Sequence, residues 1–158
     1  MNTPRIVICM VLSLHICLAE SSSGRTSHPP SRTNATLTAG DYRTVASGSW
    51  NSLQTWERFV GGAWTVPLAA PDSGSGRITV RSGDTVSITA ATTYDQLTVE
   101  AGGQVIVLPG VPHTLTDGPG DDLTIEGTWV NQGGSWTIVG GAKSVSYTHL
   151  TLPTKRIV

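Results

Sequence analysis

Ile78-Thr79-Val80, Val86-Ser87-Ile88, Leu97-Thr98-Val99, Val105-Ile106-Val107, Thr114-Leu115-Thr116, Leu123-Thr124-Ile125 and Trp136-Thr137-Ile138 are seven versions of one short apolar strand. Every second one is anchored at Ile78, Leu97, Leu115 and Trp136, and the interleaved set at Val86, Val105 and Leu123. Within each set the anchors recur at a nearly constant spacing, roughly 19 residues, with two strands per repeat, which predicts coils that stack on one another. The expected fold is therefore all-β: a right-handed parallel β-helix, a solenoid of ~19-residue coils.

Side chains alternate between the two faces of a strand. In Ile78-Thr79-Val80, Leu97-Thr98-Val99, Leu123-Thr124-Ile125 and Trp136-Thr137-Ile138 the outer two residues should fill the interior. The central threonines should line the outside, and β-branched residues suit that pleated setting. Turns carry Ser82-Gly83-Asp84, Ala101-Gly102-Gly103, Pro109-Gly110 and Gln132-Gly133-Gly134, where glycine takes positive φ at little cost. No segment has a helical period of 3.6.

Working toward the N-terminus, residues 42–77 hold Trp50, Trp56 and Trp64, three of the five tryptophans, with Phe59 among them. A first coil has no neighbour beneath it, and large aromatic rings suit the cap it needs. The cap is the favoured reading; exposed tryptophan faces also stack on sugar rings, which makes Trp50, Trp56 and Trp64 the candidate ligand-binding residues as well. Residues 20–41 are rich in Ser, Thr, Pro and Gly, and read as a flexible linker. It contains the weak glycosylation motif Asn34-Ala35-Thr36. Residues 1–19 read as a secretory signal peptide: Arg5, an apolar run over 6–18, and the small residue Ala19. That run is too short to span ~30 Å of hydrocarbon as a helix. Export to the cell surface or medium is the expectation, with no membrane insertion of the mature chain.

Toward the C-terminus, residues 78–143 comprise the coils. Residues 145–154 (Val-Ser-Tyr-Thr-His-Leu-Thr-Leu-Pro-Thr) resemble a translated sequencing-library adapter. Residues 144–158 are accordingly expected to lie outside the natural frame, and the coils to belong to a longer protein.

Composition narrows the chemistry. Cys9 and Cys17 both lie in the leader, which leaves no disulfide scaffold. Residues 20–143 carry seven Lys plus Arg against eleven Asp plus Glu, a net charge of −4, which argues against nucleic acid and anionic membrane as partners. Only His28 and His113 remain in that segment, and His113, after Pro112, reads as a turn residue. Most zinc and nucleophilic mechanisms are thereby excluded. Asp84, Asp95, Glu100 and Glu126 are scattered. Glu100 and Glu126 both follow a triplet, but their separation is no whole number of the expected coils, so no acid/base pair is predicted. No catalytic residues are expected. Asp117, Asp121 and Asp122, on a glycine-rich loop, are the candidate oxygen ligands for a structural calcium, the one cofactor considered.

Ser47-Gly48-Ser49-Trp50, Thr55-Trp56, Val66-Pro67, and Ser82-Gly83-Asp84-Thr85-Val86-Ser87-Ile88 with Ala101-Gly102-Gly103 resemble a G8-like β-helix module. Such modules sit near the N-termini of large secreted bacterial surface proteins. The resemblance covers residues 46–141, with an insertion at 69–76. It implies a structural or adhesive role and extracellular glycans or cell-surface components as partners. The alternative it implies is an accessory module of a polysaccharide-degrading enzyme.

Overall fold

The computed structural model describes residues 36–146 and 150–151. The expected signal peptide, the linker up to residue 35 with its Asn34 motif, and tail residues 147–149 and 152–158 lie outside the described residues.

The chain is all-β. It begins with β1 (Tyr42–Thr44), β2 (Gly48–Ser49), a single 3-10 turn at Leu53–Thr55, and the hairpin β3 (Trp56–Val60) and β4 (Ala63–Thr65). Nine strands then follow in three sets of three: β5 (Ile78–Val80), β6 (Thr85–Ile88), β7 (Thr92–Tyr94); β8 (Leu97–Val99), β9 (Gln104–Val107), β10 (Pro112–Leu115); β11 (Leu123–Ile125), β12 (Thr128–Asn131), β13 (Ser135–Ile138). β14 (Ser144–Ser146) and β15 (Leu150–Thr151) come last.

Each set gives one strand to each of three sheets. The first sheet runs β14-β11-β8-β5-β1-β3-β4, the second β15-β12-β9-β6-β2, and the third β13-β10-β7. Pairing is parallel everywhere except β1 with β3 and β3 with β4.

This corrects the expected repeat in two ways. Each repeat carries three strands rather than two, because Thr92–Tyr94 and Thr128–Asn131 are strands that the apolar triplets do not mark. The partners also differ. Ile78 pairs with Leu97 as expected, but Leu97 pairs with Leu123 and not with Leu115. Val105 pairs with Trp129 and not with Leu123, while Leu115 lies between Tyr94 and Ile138. The segment between Leu115 and Leu123 lengthens the second repeat, so a constant step drifts out of register.

Inside, Ile78, Val80, Leu97, Val99, Leu123 and Ile125 from the first sheet meet Val86, Ile88, Val105, Val107 and Trp129 from the second. Tyr94, His113 and Leu115 come from the third. Each fully buried aliphatic side chain contributes about 1.5–3 kcal/mol relative to exposure. Trp136 is partly buried against this core, but Ile138 is 56% exposed. It is in register with Leu115, and β13 is the last strand of its sheet among the described residues.

The Ala101-Gly102-Gly103 corner shows why two glycines stand together. Gly102 has φ +86°, which a side chain rarely adopts. A Cβ on Gly103 would lie 2.9 Å from the carbonyl oxygens of Val80 and Arg81. Gly127 occupies the equivalent corner one repeat later, where a Cβ would run into the Gly103 and Glu100 carbonyls. No helix among the described residues is long and apolar enough to cross a membrane.

Candidate functional site

The outward face of the first sheet collects its polar side chains into one row. Ile78 and Val80 are buried, so Thr79 between them faces out, and the same holds for Thr98 and Thr124. The three threonines are in register on β5, β8 and β11. Arg43 on β1 is in register with Thr79, and Glu57 on β3 with Arg43. Adjacent strands are about 4.8 Å apart, so Thr124, Thr98, Thr79, Arg43 and Glu57 span about 19 Å across the strands.

One end of this row is fixed by charge and by rings. Arg43 donates from Nε and Nη2 to Glu57 Oε2, at 2.9 and 2.8 Å. Its guanidinium lies 4.1 Å from the centroid of the Trp64 ring, within cation–π range. Phe59, in register with Trp64 on the β3–β4 hairpin, supports that ring at 5.3 Å. The result is a ledge: a hydroxyl row ending against an aromatic and ion-paired wall.

The three candidate tryptophans are not brought together. Trp50 and Trp56 are each 1% exposed and pack edge to face at 5.2 Å. Trp50 Nε1 donates to the Pro71 carbonyl at 2.9 Å, and Trp56 Nε1 to the Trp50 carbonyl at 2.7 Å. Neither ring has a free face for a ligand. Trp64 is half-buried on the outer face.

Nor do the three candidate calcium ligands converge. Asp122 is fully buried, and its Oδ1 and Oδ2 accept from the Gly118 and Lys143 N–H groups at 2.8 and 2.6 Å. Asp117 Oδ2 accepts from Gly141 N–H at 3.1 Å, and Asp121 is exposed. Among the described residues no group of three or more His, Cys, Asp or Glu side chains is placed to hold a metal ion. The loop uses the Asp117 and Asp122 carboxylates to tie backbone.

Asp122 has a different partner, Asp95. Burial first, then a hydrogen bond to Asp122, raises the Asp95 carboxyl above its ordinary value. Burial pushes Asp122 up as well. The N–H groups of Lys143 and Gly118 and the bond from Asp95 outweigh this and hold Asp122 low. Of the two acids, Asp95 is therefore the one that holds a proton more tightly. The pairing of Leu97 with Leu123 brings the two acids together, and nothing in the spacing signals it.

Three further residues differ from expectation. Glu100 and Glu126 follow the register partners Val99 and Ile125, so their separation is one full step of the first sheet. Glu100 Oε2 accepts from Ser82 N–H at 3.2 Å. His113 is no turn residue. It lies in β10, 1% exposed, with its ring on the same inner face as Leu115. Its place two positions before Leu115 was the available signal, and the proline before it obscured that.

No protein-family model, curated protein or solved structure matches this chain.

Proposed function

We propose that this chain is a non-catalytic module of a secreted or cell-surface protein, built as a right-handed parallel β-helix and used to contact extracellular glycans. The observation that carries the reading is the in-register row Thr124, Thr98 and Thr79, closed by the Arg43–Glu57 pair and Trp64. Each hydroxyl both donates and accepts hydrogen bonds, as sugar hydroxyls require. The Trp64 edge adds apolar contact, and rigid strands hold the row without an ordering cost on binding. The likeness to G8-like modules and the signal-peptide pattern of residues 1–19 support the same reading.

The test is binding of the purified chain to an array of neutral and acidic polysaccharides. The triple variant Thr79→Ala, Thr98→Ala, Thr124→Ala and the single variant Trp64→Ala would be run alongside. Loss of at least tenfold in affinity in both, with unchanged circular dichroism, is expected. Binding that survives both variants would overturn the assignment to this face.

A further inference from the structure

Among the described residues, four buried polar side-chain atoms have no hydrogen-bond partner: Tyr94 Oη, His113 Nε2, Trp129 Nε1 and Trp136 Nε1. They belong to a single cluster. His113 stacks on Trp129 at 5.9 Å and 18°, and Trp129 on Trp136 at 5.7 Å and 22°. Trp136 lies 5.4 Å from His113, and Tyr94 lies 6.3 Å from His113 and 6.2 Å from Trp129. The rings come from β7, β10, β12 and β13, so the cluster joins the second sheet to the third.

The two indoles can only donate, and His113 Nδ1 lies 3.5 Å from the Ser135 carbonyl. A hydrogen on Nδ1 therefore points at Ser135, and the lone pair of Nε2 is left among rings. A second proton must go to Nε2, where it would bring a charge and an N–H with no acceptor. The groups facing the imidazole are Tyr94 and Thr92 from β7, Trp129 from β12, and Trp136 and the Ser135 carbonyl from β13. None carries a charge: burial holds the Tyr94 phenol neutral, and Thr92 Oγ1 already donates to the Ala90 carbonyl. Attraction between an imidazolium and the stacked indoles would return part of the cost. An unpaired buried charge costs more than such contacts restore.

We propose that His113 is an acid-sensitive latch: a proton arriving at Nε2 breaks the stacked cluster and loosens the β7–β10–β13 sheet. Burial lowers the affinity of the ring for that proton, in keeping with this. The folded ring titrates below the ordinary value of about 6.5, so its contribution is complete above that value and is lost as pH falls below it. One proton taken up on opening lowers the folding equilibrium constant by up to about tenfold per pH unit in that window.

Two measurements on the full chain test the proposal. The first follows the histidine ring resonances by NMR from pH 8 to pH 4, with His113 identified from a His113→Phe spectrum or by through-space contacts to Trp129. A His113 ring titrating below 6.5, with amide protection factors in β10 and β13, taken relative to intrinsic exchange at each pH, falling over the same range, is expected. A ring titrating at or above 6.5, or uniform exchange across all three sheets, would overturn it. The second compares denaturant midpoints at pH 7.5 and pH 5.0 for wild type and His113→Phe. The variant should lose the acid-side drop, and parallel pH profiles would overturn the latch.

Discussion

The core holds two groups of aromatic rings that differ in how their polar atoms are treated. At the β1–β3 end, Trp50 and Trp56 each direct the indole N–H to a backbone carbonyl, Pro71 and Trp50 respectively. Toward the β13 edge, Tyr94, His113, Trp129 and Trp136 pack as closely, yet each has a buried polar atom with no partner. The two groups touch through Trp50 and Tyr94 at 5.5 Å, so their surroundings are continuous. What differs is the backbone nearby. Around Trp50 and Trp56 the chain turns irregularly and leaves carbonyls free. Between β9, β12 and β15, and between β7, β10 and β13, the carbonyls are committed to parallel ladders. A regular sheet accommodates a ring well and an N–H badly.

The largest expected effect is one both regions share. Trp56→Ala and Trp129→Ala should each cost about 3–5 kcal/mol in denaturant unfolding, because both delete a fully buried ring. A loss under about 1 kcal/mol at Trp56 would show that the first group is not part of the cooperative core.

Phenylalanine separates the regions. Trp50→Phe leaves the Pro71 carbonyl without its donor, at about 1–3 kcal/mol beyond the lost area. Trp129→Phe removes an N–H that had no partner. The relief of about 1–3 kcal/mol should offset the smaller ring and leave stability within about 1 kcal/mol of wild type. Equal costs for the two variants would erase the distinction.

The smallest effect concerns the buried acid pair, a case where neighbours do satisfy the polar atoms. Asp122 is held low, so its contribution is present above the ordinary carboxylate pKa and is lost as pH falls through its folded value. Asp95 is raised, so its contribution is full below the ordinary value and is lost as pH rises through its folded value. Asp95→Asn keeps a donor toward Asp122 at every pH. It should raise the melting temperature at pH 7 by a few degrees, about 1 kcal/mol or less, with little change near pH 4. A lower melting temperature at pH 7 would show that the pair does not share a proton.

Much of the first sheet was legible without coordinates. Inward Ile78, Val80, Leu97, Val99, Leu123 and Ile125, with Thr79, Thr98 and Thr124 outward, follow from alternation alone, because the strand period of two needs only local sequence. The third sheet was legible only in part: Leu115 and Trp136 stand in the apolar pattern, but Thr92 and His113, which share a register row with Trp136, do not resemble it and are not marked. Of the site, Trp64 was named, but its partners Arg43 and Glu57 were not. Their pairing depends on β1 lying between a parallel neighbour, β5, and an antiparallel one, β3.

By itself the sequence determined the local quantities: strand type, the face each residue takes, and corner positions such as Gly102 and Gly103 where a side chain would be strained or crowded. Tertiary structure alone decided which strands are neighbours. That choice belongs to the summed register of three sheets, and the segment between Leu115 and Leu123 shifts it while leaving every local preference intact. It put Leu97 beside Leu123, joined Asp95 to Asp122, and placed His113 among rings instead of in water.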